Sequence, residues 1–208
     1  MLKRILVLAA HPDDGEFGCG GTIHKFVNQG KEVRYAVFSP CNKSLPKGYE
    51  QDYLFTELKN ATQKLGIKED QIYKFDFPVR EFPKYRQEIL EELVKISRDY
   101  QPELVILPSS TDIHQDHHQI YQEGVRAFKY TNVIGYELYW NNLVATTNFH
   151  IRLSKEDVQA KLEAILQYKS QKFRQYVDEE LIRNQAIMRG AQVKDKFAEA
   201  FEFIRWID

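Results

Sequence analysis

The chain has little cysteine, no excess of either charge and no long apolar run. Among its 208 residues only Cys19 and Cys41 are cysteines. That excludes a disulfide-stapled scaffold and fits a reducing, cytoplasmic setting. Lys and Arg number 29 against 30 Asp and Glu, which excludes a nucleic-acid binder built on a basic face. Residues 154–208 hold ten of each sign, so no basic tail hides in the balance. The apolar run behind Met1-Leu2-Lys3-Arg4 is six residues long, too short for a secretion signal or a membrane span. No stable membrane insertion is expected. No repeat or low-complexity stretch occurs. What is present is the composition of a globular protein, with 43% hydrophobic and 28% charged residues. The length suffices for one sizeable core, and a single domain over residues 1–208 is expected.

Strand and helix signals alternate. Residues 4–10 and Leu104–Leu107 are continuously apolar, as strands buried on both faces are. Further strands are predicted at Glu32–Phe38, Ile72–Phe75 and Val133–Tyr139. Helices are predicted over Gly20–Gln29, Glu57–Leu65, the stretch after Pro83 and Asp116–Phe128. Ser154 and Asp157 form a capping signal for a helix through Gln167. A helix over Glu179–Met188 is expected to stop at Gly190, and periodicity leaves Ala198–Trp206 open between strand and helix. The pattern predicts an α/β fold, a Rossmann-like three-layer sandwich with a mostly parallel central sheet and helices on both faces. In such sheets ligands bind beyond the carboxyl ends of the strands, at the switch point in strand order.

Two strand ends carry chemistry. The first runs into His11-Pro12-Asp13-Asp14, and Leu104–Leu107 leads to His114-Gln115-Asp116-His117. Three of the six histidines fall in these two windows, and a fourth, His118, directly follows the second. A catalytic zinc takes three protein ligands from His and Asp/Glu and leaves one position open. His11, Asp14 and His117 supply that set. Iron(II) could replace zinc, since ligand type does not separate them. Asp13 is then free to take a proton from the attacking water. His114, as a protonated imidazole, is assigned to the oxyanion, with Asp116 orienting that ring and raising its pKa. Gly18, Gly20 and Gly21 are read as a sharp turn from strand to helix, and Glu16 as a partner for a metal-binding histidine. His24, His118 and His150 are read as packing or surface residues.

The run Ala10-His11-Pro12-Asp13-Asp14-Gly15-Glu16 through Gly18-Cys19-Gly20-Gly21-Thr22 resembles the signature of the PIG-L / LmbE-like deacetylases. His114-Gln115-Asp116-His117 is similar to their second motif, and Tyr168-Lys169-Ser170-Gln171 and Arg189-Gly190 are weaker matches. The resemblance implies a zinc-dependent hydrolase of Rossmann-like fold that removes an acetyl group from an N-acetylglucosamine unit. It implies His11, Asp14 and His117 as zinc ligands, Asp13 as general base and His114 as oxyanion stabiliser. The expected partner is a small N-acetylated amino sugar or glycoconjugate, and homo-oligomers are frequent among members.

One departure concerns substrate binding. Many members carry an arginine three residues before the glutamate that corresponds to Glu57; here that position is Leu54. Arg80, in the loop after the third strand, is the candidate replacement, against a plain salt bridge with Glu81. Two other functions share the motifs: deacylation of a non-sugar amide, and metal binding without catalysis. Asp13 beside Asp14 argues against the second, because metal binding alone needs no adjacent base. A dinucleotide site is excluded, since the glycines do not read G-x-G-x-x-G directly after the strand and two carboxylates would repel a pyrophosphate. No phosphate-binding G-x-x-x-x-G-K-[ST] run is present.

Overall fold

The computed structural model describes residues 2–208. In chain order its elements are β1 (Arg4–Ala9), α1 (Asp14–Asn28), β2 (Glu32–Val37), α2 (Tyr53–Lys64), β3 (Ile72–Lys74), α3 (Arg86–Tyr100) and β4 (Leu104–Pro108). They continue with α4 (Gln115–Ala127), β5 (Asn132–Tyr136), β6 (Phe149–Arg152), α5 (Lys155–Ile165), α6 (Glu179–Gln192) and β7 (Ala198–Arg205). Among the described residues, seven strands form one sheet in the order β3-β2-β1-β4-β5-β7-β6. The first five are parallel, β7 adds antiparallel to β5, and β6 adds antiparallel to β7. This is the three-layer, mostly parallel α/β fold.

The apolar runs are explained by alternation across the sheet. Ile5, Val7 and Ala9 of β1 pack with Leu104 and Ile106 of β4 into one core, under α1, α2, α5 and α6. Leu6, Leu8, Val105 and Leu107 face the other way, under Ile89, Leu93 and Ile96 of α3 and Ile120 of α4. Every side chain of these strands has a partner layer, so no polar alternation appears. The chain winds outward from β1 through β2 to β3, then crosses back to β4 on the other flank of β1. Val7 pairs with Ile106, so the carboxyl ends of β1 and β4 lie side by side at the switch point. Among the described residues no helix is long and apolar enough to cross a membrane.

Two expectations are corrected and one open point is resolved. The first helix begins at Asp14, and Gly18, Gly20 and Gly21 lie inside it. They serve close packing: a Cβ at Gly18 would run into the Tyr136 ring, and one at Gly21 would lie 2.5 Å from Leu153 Cδ1. The helix is kinked at Cys19 (φ −148°, ψ 25°), and the buried Glu199 carboxylate accepts the freed Gly21 and Thr22 N–H groups at 3.0 and 2.7 Å. Gly190 does not stop α6 but lies within it, where the backbone of Lys196–Phe197 approaches too closely for a side chain. The open question at the C-terminus resolves as a strand, because Ala198–Arg205 finds β5 on one edge and β6 on the other. The capping box at Ser154 and Asp157 forms as the sequence predicts.

Candidate metal centre and active site

The chain passes from β1 to α1 through His11-Pro12-Asp13, with Asp13 at a positive φ of 88°. Such a conformation is costly for a residue with a side chain and persists only where its surroundings hold it. Here the Asp13 N–H donates to the Tyr168 hydroxyl at 3.0 Å. That hydroxyl donates to Glu16 at 2.9 Å, and the Tyr35 hydroxyl donates to the other Glu16 oxygen at 2.7 Å. Glu16 therefore braces the turn through two tyrosines and does not touch a histidine, contrary to the sequence expectation. Burial pushes its carboxyl up to about 7, against the hydrogen bonds from Tyr35 and Tyr168.

The two motifs meet. His11 Nδ1 lies 3.0 Å from His117 Nε2 and 3.4 Å from Asp14 Oδ2, and His117 Nε2 lies 3.2 Å from the same oxygen. Ligand atoms about 2.1 Å from a tetrahedral centre lie about 3.4 Å apart, so this triangle has the dimensions of three corners of a metal site. His114 contributes a nearby ring, and one nitrogen from each of His11, His114 and His117 lies within 4.8 Å of the others. Electrostatics point the same way. Burial works against charge, yet His117 and His11 hold the Asp14 carboxyl well below the usual carboxylate range. Against the same burial, Asp14 and Asp112 lift His117 to about 10. The carboxylates demand positive charge at the triangle, which a divalent cation would supply.

The far nitrogens of both rings are also held. His11 Nε2 lies 2.9 Å from Asp116 Oδ2, and His117 Nδ1 lies 2.7 Å from Asp112 Oδ2. A carboxylate on the outer nitrogen fixes the tautomer that leaves the inner nitrogen free to bind metal. Asp116 is anchored in turn by the Arg80 and Phe82 N–H groups at 2.6 and 3.3 Å. The Asp116 carboxylate thus orients His11, and only its backbone N–H reaches His114, which corrects the sequence expectation. His114 is the N-cap of α4, its Nδ1 accepting the Asp116 N–H at 3.2 Å. An accepting Nδ1 leaves Nε2–H as the donor of a neutral ring. The raised pKa expected for His114 is corrected as well: burial, then His117 and His11, push it down to about 4.

A cavity of about 220 Å³ opens over this cluster, lined among others by Asp13, Arg80, His114, Trp140, Arg174 and Tyr176. Burial, with Asp14 and Glu16 nearby, pushes the Asp13 carboxyl well above its usual range. Leu54 also lines the cavity, at the position where the resemblance led one to expect arginine. Arg80 does line it and makes no pair with Glu81, which is held by Lys43 and Lys84. Sequence reasoning missed Asp112, Trp140, Arg174 and Tyr176. Asp112 lies five residues before His117 in the loop after β4, so a search of that strand end for every carboxylate would have found it. The other three carry no local signal.

With this geometry in place, the known proteins can be compared. The family model described as PIG-L, GlcNAc-PI de-N-acetylase, matches residues 6–128. The chain belongs to the PIG-L family. The diacetylchitobiose deacetylase of Thermococcus kodakarensis is 28% identical over 140 residues, covering 64% of this chain and 51% of that protein. This chain therefore spans about half the length of that relative. Among solved structures, the N,N'-diacetylchitobiose deacetylase from Pyrococcus horikoshii superposes with a TM-score of 0.80 at 20% identity, covering 98% of this chain and 84% of its own. The 4-carboxy-2-hydroxymuconate hydratase from Pseudomonas putida KT2440 superposes equally closely, with a TM-score of 0.79 at 19% identity over 100% of this chain and 99% of its own. Architecture alone therefore does not choose the reaction for this PIG-L family member, and the site must.

Proposed function

We propose that this PIG-L family protein is a metal-dependent hydrolase that removes an N-acetyl group from an amino-sugar substrate, with residues 1–208 acting as one domain. The observation that carries this reading is the triangle of His11 Nδ1, Asp14 Oδ2 and His117 Nε2, each pair 3.0–3.4 Å apart, with Asp13 next to it in the cavity. The donor set fits zinc, and iron(II) equally. The cation, when bound, makes a water nucleophilic near neutral pH and polarises the amide carbonyl.

The chain's own groups do the rest. Asp13 takes a proton as the water oxygen bonds to the acyl carbon, and its upward-shifted carboxyl is basic enough to do so. The neutral His114 ring donates from Nε2–H to the developing oxyanion, without needing the extra proton first assigned to it. Asp13 returns its proton to the leaving nitrogen as the C–N bond breaks, giving acetate and a free amine. Asp112 and Asp116 hold the two ligand rings. A module that only bound metal would have no use for a strained, cavity-facing carboxylate at position 13.

The test is acetate release from a panel of N-acetylated sugars, nucleotide sugars and glycosides, with metal content measured alongside. The protein is expected to release acetate from at least one sugar. Asp13→Asn should keep its metal and lose about 100-fold or more in turnover, the scale of general base catalysis. Normal turnover in that variant refutes the role given to Asp13. Release of acyl groups only from non-sugar amides refutes the substrate class.

A further inference from the structure

Two arginines line the cavity, and neither has a carboxylate partner among the described residues. Arg34, Arg86, Arg126, Arg152 and Arg189 each pair with Glu or Asp, and of the arginines that do not, Arg80 and Arg174 are the two that line this cavity. Arg80 comes from the loop after β3 and Arg174 from the loop between α5 and α6, so separate segments bring two guanidinium groups to one opening. We propose that Arg80 and Arg174 form an anion subsite, and that the amino-sugar substrate carries a phosphate or carboxylate group. This rests on the hydrolase reading above.

Arg174 is prepared for such a group. Its Nε donates to Gln171 Oε1 at 3.0 Å, which leaves both terminal nitrogens available as a fork. A fork of this kind matches the oxygens of a phosphate or carboxylate. The fork is held from behind by a chain of contacts. Gln171 donates to Ser170 Oγ at 3.0 Å, and Ser170 donates through its N–H and hydroxyl to the buried Glu57 at 2.9 and 2.6 Å. The guanidinium lies 5.9 Å from the Tyr176 ring centre, and Tyr176 stacks on Trp140 at 4.1 Å with planes 8° apart. Arg80 is fixed at its backbone. It sits at φ 69°, and its N–H donates to Asp116 at 2.6 Å, so the carboxylate that holds His11 also fixes the backbone of Arg80.

Physical cost separates an anionic substrate from a neutral one. A ligand that fills the cavity strips water from the Arg174 fork. A neutral sugar leaves that charge without a partner, whereas an anionic oxygen restores two charged hydrogen bonds. Asp13 and Asp14 repel a negative charge in the cavity, and the two guanidinium groups, Arg174 acting on Asp13 itself, offset that repulsion. The acetamide end is then directed inward to the cluster.

The experiment uses the metal-loaded Asp13→Asn protein, so that bound sugar persists, and calorimetry with four probes. These are N-acetylglucosamine, its 1-phosphate, its 6-phosphate and N-acetylmuramic acid, whose charge is a carboxylate. At least one charged sugar should bind about tenfold or more tightly than the neutral one, the scale of one charged hydrogen bond. The arm that gains tells phosphate from carboxylate. The preference should shrink as salt is raised, and should shrink further when Arg174→Gln or Arg80→Gln is added, with Arg174→Lys recovering part of it. Equal affinity for all four probes overturns the subsite, as does a preference that survives both glutamine substitutions together. Acetate release by the unsubstituted protein is read in parallel. Charged sugars that bind through the arginines but release no acetate sink the hydrolase reading and leave the subsite standing. Acetate release with no charge preference does the reverse.

Discussion

Asp112 offers the sharpest test of the metal centre, because no ligand is touched. Its Oδ2 lies 2.7 Å from His117 Nδ1, and its Oδ1 accepts the His114 N–H at 2.8 Å. Asp112 and His117 are 3% and 2% exposed, so water does not replace the carboxylate. In Asp112→Ala the His117 ring loses its orienting partner and part of the negative field that makes its inner nitrogen a strong donor. Loss of such an outer partner weakens metal binding by about 10- to 100-fold, or roughly 1.4–2.7 kcal/mol. Asp112→Asn keeps an acceptor of the same size without the charge, and its loss should fall below that of alanine. The measurement is a competitive chelator titration of zinc against each purified protein, with circular dichroism of the metal-free forms as the folding control. An Asp112→Ala protein that folds and binds zinc as tightly as the parent refutes the claim that this carboxylate supports the site. If alanine disrupts folding, the asparagine variant carries the same test.

Two further perturbations address the frame around the site. Gly18→Ala forces a methyl group into the Tyr136 ring, which is fully buried and hydrogen-bonded to the Leu8 carbonyl. Overpacking of this kind costs about 1–3 kcal/mol, and thermal melting should show a midpoint lower by about 2–4 °C for each kcal/mol. An unchanged midpoint would mean that helix and sheet are not in contact there. Lys161→Met removes the cation 2.7 Å from Glu199, both side chains being 5% exposed. Leaving one member of a buried pair alone costs about 3–5 kcal/mol, to be read by urea denaturation, and a loss below about 1 kcal/mol would show that the Gly21 and Thr22 N–H groups suffice to hold Glu199.

The parts of the fold legible in the sequence were those dominated by local pattern. β1 and β4 read as buried strands because both their faces are covered, and the helix at Ser154 because its cap lies within four residues. The metal triangle was legible for a related reason. Its residues follow the carboxyl ends of two strands that the rule for open sheets makes neighbours. The start of α1 was not legible, since its glycines resemble a loop until Tyr136 and Leu153 are seen packed against them. Ala198–Arg205 was undecided because a strand of its composition is selected by its neighbours β5 and β6 and not by its own periodicity.

By itself, then, the amino-acid order determined the layered α/β architecture and the pairing of the His-Pro-Asp-Asp and His-Gln-Asp-His segments, and it supplied the three side chains to which the proposal gives the metal. The tertiary structure decided which nitrogen of each ring faces inward, which carboxylate stands behind it, and which arginines reach the cavity. His11 and His117 are 106 positions apart, and Asp13 meets Tyr168 across 155. Periodicity carries information over a turn of helix or a pair of strand residues. Contacts between atoms that distant in the chain exist only once the helices and strands have packed.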